Sequence, residues 1–174
     1  YNSCNRRRRS QVKNLLLTVD ISKGKQPKLL ATLPFGKPRE TVRGTMFDAN
    51  RRVLYAITAV RRDPLYAISF ANPERPRILS QIDGLSGDIH LFRLVNQGKV
   101  LLAVGRDNSK SCRGFGRGNW RSSVAVSLFD IRNLKKVRLI QRRCVTMKHA
   151  RNTYSGINRN RDQAHKMIGM YSEG

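Results

Sequence analysis

The sequence predicts an all-β protein that is built from repeated antiparallel units. Three segments share one layout: an apolar strand, a turn of about five residues, and a second strand that begins with Pro or Val, a basic residue and two aliphatic residues. These segments cover residues 17–30, 65–79 and 126–140. Helical periodicity is weak along the chain, and six prolines interrupt it.

The repeated layout recurs at intervals that indicate a propeller. Asp20, Ser69 and Asp130 occupy equivalent places, 49 and 61 residues apart, and a second hairpin follows each of the first two units, over residues 42–59 and 89–104. Two hairpins per period make a four-stranded antiparallel blade, which is the unit of a β-propeller. A β-sandwich of short strands is the alternative, but its strands have no reason to recur at a fixed period.

We therefore predict a partial β-propeller of about three blades. A basic N-terminal arm covers residues 1–14, and the predicted blades cover residues 15–60, 61–107 and 121–174, with a Gly- and Arg-rich loop over residues 108–120. A closed propeller needs about four to eight blades. Further blades or other subunits of an assembly are therefore expected to complete this one. The chain does not begin with Met, which we interpret as a processed or partial product.

The charge of the chain is strongly unbalanced. Lys and Arg number 35 against 11 Asp and Glu, which leaves a formal net charge of +24 on 174 residues. Like-charge repulsion of this size opposes a compact chain unless an acidic partner offsets it. Most of the excess is arginine, whose guanidinium makes bidentate contacts with phosphate, sulfate and carboxylate groups. We expect an acidic macromolecular partner, which is a glycan, an acidic protein or a nucleic acid.

Arginine is concentrated in two segments outside the predicted strands. A four-arginine run precedes the first strand as a solvated arm would. In residues 113–121, arginines alternate with glycines and aromatic residues, so the segment can follow a polyanion while Trp120 stacks on bases or sugars. The alternative is that Trp120 packs beneath its own blade. The predicted polyanion-binding site consists of Arg6, Arg7, Arg8, Arg9, Arg113, Arg117, Trp120, Arg121, Arg142 and Arg143.

Residues suited to catalysis or metal binding are sparse. His90, His149 and His165 have no i, i+4 partner and no neighbouring Cys, and the carboxylates are scattered. We expect no enzymatic activity, no catalytic residue, no cofactor and no metal site, so a propeller hydrolase or lyase is the least favoured class. No run of about 18 apolar residues occurs, so we also expect no membrane span.

The sequence contains three cysteines, Cys4, Cys112 and Cys144. Their wide spacing fits no zinc pattern, and an odd number does not define a disulfide framework. Three unrelated thiols are the simpler interpretation. The alternative, in an oxidising compartment, is a disulfide between Cys112 and Cys144, which flank the first hairpin of the third predicted blade.

The order of these motifs resembles one known family. The chain is similar, over about residues 15–171, to the bacterial and archaeal secreted-type β-propeller domains, which are distantly kelch-like. The resemblance implies a propeller fold and an extracellular or cell-envelope location. Abundant arginine and the loss of an Asn-Pro turn at residues 23–24 and 133–134 are the departures. The matching motifs are Val19-Asp-Ile-Ser22, Pro27-Lys-Leu-Leu30, Pro64-Leu-Tyr-Ala-Ile68, Asn72-Pro73, Pro76, Gly87-Asp-Ile-His90, Leu101 to Asp107, Ser127-Leu-Phe-Asp-Ile131 and Asp162-Gln-Ala-His-Lys-Met-Ile168.

Two functions fit this combination of fold and charge. We predict a non-catalytic β-propeller scaffold or binding module in a larger assembly, contacting a surface glycan or an acidic protein. The alternative is an RNA-binding structural component of an intracellular ribonucleoprotein. The family resemblance favours the first function, and the net charge alone favours the second.

Overall fold

A computed structural model describes residues 14–24, 26–38, 40–59, 63–85, 88–107 and 123–145. These residues form ten β-strands, so the predicted all-β class is confirmed. The strands are β1 (Asn14–Asp20), β2 (Lys28–Phe35), β3 (Thr41–Asp48), β4 (Val53–Ala59), β5 (Asp63–Ser69), β6 (Arg77–Leu85), β7 (Asp88–Val95), β8 (Val100–Asp107), β9 (Ser123–Asp130) and β10 (Arg138–Val145).

The strands form three antiparallel units. β1 and β2 form the N-terminal hairpin, β3 to β6 form the first sheet, and β7 to β10 form the second sheet. Each sheet is a meander in which every strand pairs with its neighbour in the chain. β3 and β7, the first strands of the two sheets, contact each other. This arrangement is that of consecutive propeller blades, with the first strand of each blade innermost.

The first sheet is buried on both faces because β4 and β5 are apolar at successive positions. Successive strand residues point to opposite faces. On one face, Tyr55 and Ile57 pack with Leu101 and Phe129 of the second sheet, and all four side chains are fully buried. Burying such side chains stabilises the fold by about 1.5–3 kcal/mol each. The main core therefore lies between the two sheets.

The other face of the first sheet is covered by the N-terminal hairpin. Phe35 at the end of β2 packs with Ala56, Tyr66 and Ile68 of the first sheet. The rings of Phe35 and Tyr66 meet edge to face, with centroids 5.5 Å apart. The order of layers is therefore N-terminal hairpin, first sheet, second sheet.

The two sheets share the same strand pairing, including the positions of their β-bulges. Val53 pairs with Ser69 in the first sheet, as Val100 pairs with Asp130 in the second. The register of the first strand pair shifts at Arg43 in β3 and 47 residues later in β7. A bulge at an equivalent place interrupts β2, β6 and β10. Because bulges set the local twist of a strand, the repeat extends to backbone shape.

The predicted hairpins are confirmed, but their predicted grouping into blades 15–60, 61–107 and 121–174 is wrong. The sheets join β4 to β5 and β8 to β9, so each blade begins one hairpin later than predicted. The period of a sequence repeat does not show where each repeat begins. It therefore cannot identify the hairpin that opens a blade. The N-terminal hairpin corresponds to the second half of a blade, because β1 aligns with β5 and β9.

The repeated strands predict that Val19, Ile68 and Phe129 or Ile131 lie on buried faces, and the structure follows this prediction with one exception. Ile68, Phe129 and Ile131 are fully buried, as expected for core positions. Val19 was expected on a buried face, but it is 45% exposed. It lies near the end of β1, where it borders an open cleft together with Phe47 and Phe70 of the first sheet.

Gly36 makes the close turn between β2 and β3. Its φ is +82°, and a Cβ there would lie 2.8 Å from Nδ2 of Asn14 and 3.0 Å from Oε2 of Glu40. Glu40 is held in place, because Oε2 accepts from Thr58 Oγ1 at 2.8 Å and from the backbone N–H of Lys37 at 2.9 Å. A side chain at position 36 would therefore break a buried hydrogen-bond network.

A matched pair of glycine substitutions tests this packing. Gly24 has a φ of +53° but no atom within 4 Å of its missing Cβ. We expect Gly24→Ala to lower the free energy of unfolding by about 1 kcal/mol, the cost of a left-handed backbone. Gly36→Ala is expected to cost at least about 1 kcal/mol more, because it adds a steric clash. Equal losses in urea unfolding would show that Gly36 is needed for its backbone conformation alone.

Candidate polyanion-binding site

Most of the predicted site lies outside the described residues. This holds for the whole arginine arm and for the Gly- and Arg-rich loop, which means Arg6, Arg7, Arg8, Arg9, Arg113, Arg117, Trp120 and Arg121. Arg142 and Arg143 lie in β10. The structure therefore describes two of the ten predicted site residues. The role of the other eight stays a prediction.

Arg142 and Arg143 lie on opposite sides of one strand. They pair with Ser127 and Val126 of β9, and Arg142 is half-buried whereas Arg143 is exposed. β10 is the outer strand of the second sheet, with β9 as its one partner among the described strands. Charged side chains on such an edge discourage pairing with other chains. The two arginines therefore do not converge on one binding surface.

A second basic region lies where the hairpin turns of the two sheets meet. In a meander, the turns of β3–β4, β5–β6, β7–β8 and β9–β10 lie at one end of the sheets, which we call the turn end. Residues 49–52, 70–76, 96–99 and 131–137 form these turns and contain seven Lys or Arg residues but a single Glu. The turn end therefore has a strongly positive surface, which the sequence prediction missed.

Arg51 ties the two sheets together at the turn end. Its Nε donates to Asp48 Oδ2 at 2.8 Å, and its Nη1 donates to the carbonyl of Ile131 at 2.8 Å. Its Nη2 donates to the carbonyl of Gly98 in the β7–β8 turn. The guanidinium thus pairs with a carboxylate of the first sheet while it binds two carbonyls of the second. A planar five-donor group suits this role better than an ammonium would.

Asp130 organises the turn of the second sheet. Its carboxylate accepts from the backbone N–H of Arg132 at 3.1 Å, and from Nε and Nη2 of that side chain at 3.0 and 2.8 Å. It also accepts from Nε and Nη2 of Arg138, at 3.2 and 3.0 Å. The hydrogen bonds from Arg132 and then from Arg138 hold the pKa of Asp130 well below its ordinary value of 3.8.

Two clefts open at the turn end on either side of Arg132. The blade-junction cleft, of about 490 Å³, lies between the sheets and is lined by Arg51, Lys99 and Arg132 among others. The outer cleft, of about 390 Å³, is lined by Arg132, Lys136 and Arg138 around Asp130. Clefts of this size can hold small ligands or single units of a polymer.

At the opposite end of the first sheet, a buried carboxylate forms a local hydrogen-bond network. Glu40 is buried, and its Oε2 accepts from Thr58 and from the Tyr66 hydroxyl at 3.4 Å. Burial, followed by the charge of Glu40, raises the pKa of Tyr66 to about 12. These groups satisfy one another and close the loop before β3, so we assign them a structural role.

Cys144 forms a disulfide, which corrects the simpler interpretation of three unrelated thiols. The sequence has two other cysteines, Cys4 and Cys112, and both lie outside the described residues. The pairing of Cys112 with Cys144 therefore stays a prediction. Because the number of cysteines is odd and one thiol must be left over, the sequence indicates this bond only as an alternative.

Acid sensitivity tests the role of Asp130. Because its pKa is lowered in the folded state, the unfolded chain binds more protons below about pH 4, and the stability that Asp130 contributes is lost as the pH falls through that range. We expect Asp130→Asn to lower the melting temperature at neutral pH and to reduce its fall between about pH 6 and pH 3. Circular dichroism melts measure both effects.

Asp83→Asn is the matched control for this test. Asp83 is exposed and its carboxylate accepts from the side chain of Gln81. Its substitution should leave the melting temperature and its pH dependence close to those of the unmodified chain. An Asp130→Asn chain with unchanged acid sensitivity would contradict the assignment.

Two further observations concern the part of the chain that the structure describes. It has no helix with the length and hydrophobicity of a membrane span. In it, no three His, Cys, Asp or Glu side chains converge as metal ligands would.

Comparison with known proteins agrees with the architecture. A family model described as the Beta propeller domain matches residues 4–163, which is most of the chain. No curated protein matches it significantly. The match covers both four-stranded sheets and the N-terminal hairpin. The chain therefore belongs to the β-propeller domain family.

Proposed function

We propose that this chain is a non-catalytic scaffold or binding module that works in a larger assembly and contacts an acidic partner, a surface glycan or an acidic protein. A propeller domain points to an interaction role. The observation that carries the proposal is a basic surface on a stack of blades whose outermost layers are apolar.

The N-terminal hairpin presents an apolar surface at one side of the stack. Leu15 and Leu17 in β1 are 61% and 56% exposed, and Leu29 in β2 is 57% exposed. On the opposite face of the hairpin, Leu16 and Leu33 pair with each other and pack on the first sheet. Contiguous exposed apolar side chains mark surfaces that bind other proteins or further domains. A further blade on this face would bury them.

The second sheet is also apolar at the other side, although its side chains there are buried or partly buried. Val104 is surrounded by the partly buried side chains of Leu102, Val124 and Val126, which face away from the first sheet. A propeller blade packs on a neighbour through each face. Both outermost layers therefore support an assembly that continues beyond the described residues.

The free edge of β1 supports the same conclusion. β5 and β9, the equivalent strands of the two sheets, each pair with a strand on both sides, whereas β1 pairs with β2 alone among the described strands. An open strand edge carries unpaired backbone groups that a further strand can satisfy. We propose that a strand of the same assembly pairs with β1.

The net charge supports an acidic partner, and the disulfide supports a location in an oxidising compartment. A net charge of +24 needs an acidic neighbour. The disulfide of Cys144 is typical of an oxidising compartment, which favours an extracellular or cell-envelope location. The alternative, an RNA-binding component of an intracellular ribonucleoprotein, is supported by the net charge but not by the disulfide.

Disulfide mapping tests the location. We expect native digestion and mass spectrometry to find Cys144 linked to Cys112, with Cys4 available to alkylation. Such a bond should stabilise the chain by about 3–4 kcal/mol through the loop it closes. Full alkylation of Cys144 without reductant, in protein isolated from its source, would contradict an oxidising compartment.

Salt-dependent binding tests the acidic partner. We expect the affinity for heparin to fall steeply between low and physiological salt, because each ionic contact releases counter-ions. Replacing Arg6 to Arg9 by Ser should flatten this dependence without a change in melting temperature. Trp120→Ala should weaken binding by about 1–3 kcal/mol if the indole stacks on the polymer, and should lower the melting temperature instead if it is part of the core.

The control removes the same charge elsewhere, from four exposed basic residues: Lys23, Lys28, Arg75 and Arg77. An equal loss of binding in the control would show that net charge alone attracts the polymer. Preference for an RNA homopolymer over heparin at matched charge would favour the ribonucleoprotein alternative. Weak binding of every polymer without salt dependence would contradict a polyanionic partner.

A further inference from the structure

We propose that the blade-junction cleft and the outer cleft form one binding site for an acidic polysaccharide, with two successive charged sugars on either side of Arg132. This inference rests on the proposed function, because it names the partner and the surface that binds it. The described residues that line the two clefts do not include Arg142 or Arg143.

The positive charge of the site is turned outward. The side chains of Arg132 and Arg138 are 64% and 65% exposed, whereas those of Asp48 and Asp130 are 4% and 9% exposed. The two carboxylates thus lie behind the cations rather than in front of them. Five cations and two carboxylates line the clefts, so the open surface attracts anions.

The carboxylates also fix the direction of the arginines. Asp130 engages Nε and Nη2 of both Arg132 and Arg138, and so leaves Nη1 of each without an acceptor among the described residues. The ammonium groups of Lys99 and Lys136 likewise have no acceptor there, and both residues are exposed. Two oriented guanidinium groups and two exposed ammonium groups are therefore available to a ligand. Pre-orientation lowers the entropy cost of binding.

The non-ionic lining indicates the class of ligand. The amide side chains of Asn50 and Gln97 line the blade-junction cleft, and Asn133 lines the outer cleft. Amides both donate to and accept from hydroxyl groups, which an acidic sugar presents beside its carboxylate or sulfate. A flat acidic protein surface could reach the cations but would not fill two concave clefts.

Among the described residues, no aromatic side chain lines either cleft. The sole large apolar side chain that they contribute is that of Leu94, in the blade-junction cleft. Recognition of single-stranded nucleic acid depends on stacking of bases on aromatic side chains. The clefts therefore suit a polymer that the protein recognises through its charged and hydroxyl groups rather than through bases.

Arg51 holds the two walls of the blade-junction cleft together. Its guanidinium binds Asp48 in the first sheet and the carbonyls of Gly98 and Ile131 in the second, so the walls of the blade-junction cleft cannot separate freely. The backbone N–H of Ile131 also donates to the carbonyl of Lys99 at 3.1 Å. A site on such a frame can select ligands by the spacing of their charges.

The test measures binding of labelled oligosaccharides to the full chain by fluorescence anisotropy. The probes are an oligogalacturonate, which carries carboxylates, and a heparin oligosaccharide, which carries sulfates, so that their comparison identifies the charged group. The variant is Lys99→Gln with Lys136→Gln, which removes one cation from each cleft and no described hydrogen bond. The control is Lys23→Gln with Arg75→Gln, which removes the same charge from other turns of the same end.

We expect the cleft variant to bind the better oligosaccharide about tenfold more weakly at low salt, and to reduce the slope of log K against log salt by about two. The control should change both quantities much less. Equal effects of variant and control, in a chain that still binds, would overturn the cleft site and leave the proposed function intact. If the unmodified chain binds no polyanion, the proposed function fails as well.

Two further probes test the ligand class with the same proteins. We expect poly-L-glutamate and polyuridylate to lose less than about threefold in affinity in the cleft variant, because neither polymer should occupy the clefts. A loss as large as that of the oligosaccharide would overturn the polysaccharide assignment. Arg132→Gln, measured with its melting temperature, should weaken oligosaccharide binding more than either lysine substitution alone, since Arg132 borders both clefts. An unchanged affinity in this variant would contradict a site that spans Arg132.

Discussion

Burial of apolar side chains between the two four-stranded sheets determines where the charged residues of this chain can lie. Tyr55, Leu101 and Phe129 have no exposed surface, and this burial raises the pKa of Tyr55 to about 12, so its hydroxyl stays neutral. A chain with 35 basic residues can bury such a core only if its charges lie elsewhere. Most of the described arginines and lysines accordingly lie at turns, on outer strands and at the ends of strands, while Arg43 and Arg93 lie within β3 and β7.

The same packing creates the basic clefts. Bringing the sheets face to face places the β3–β4 turn beside the β7–β8 turn, and Arg51 satisfies carbonyls there that would otherwise lose water without a partner. Asp48 and Asp130, which are buried beneath the arginines, then neutralise part of the positive charge of the clefts. The proposed binding surface is thus a by-product of how two blades close against each other, supported by two buried carboxylates.

The sequence predicted local structure well and long-range structure less well. Alternating apolar residues and turn-forming Asn, Asp and Gly located the hairpins, because pairing within a hairpin depends on neighbours in the chain. The blade boundaries were missed, since a repeat has the same period whichever hairpin opens it. The clefts were missed because they join residues such as Arg51, Gly98 and Arg132, which are far apart in sequence. The exposed Val19 was misassigned for a related reason: its apolar character indicates a buried face but not what covers it.

The connections within the two sheets differ in length, and this difference bears on the order in which they fold. Three residues, 60–62, join β4 to β5, whereas fifteen residues, 108–122, join β8 to β9. Closing the longer connection costs about 1 kcal/mol more in chain entropy. The hairpins themselves close quickly because their turns are short. The first sheet can therefore assemble ahead of the second, and its exposed face then serves as the surface on which β8 and β9 find their register.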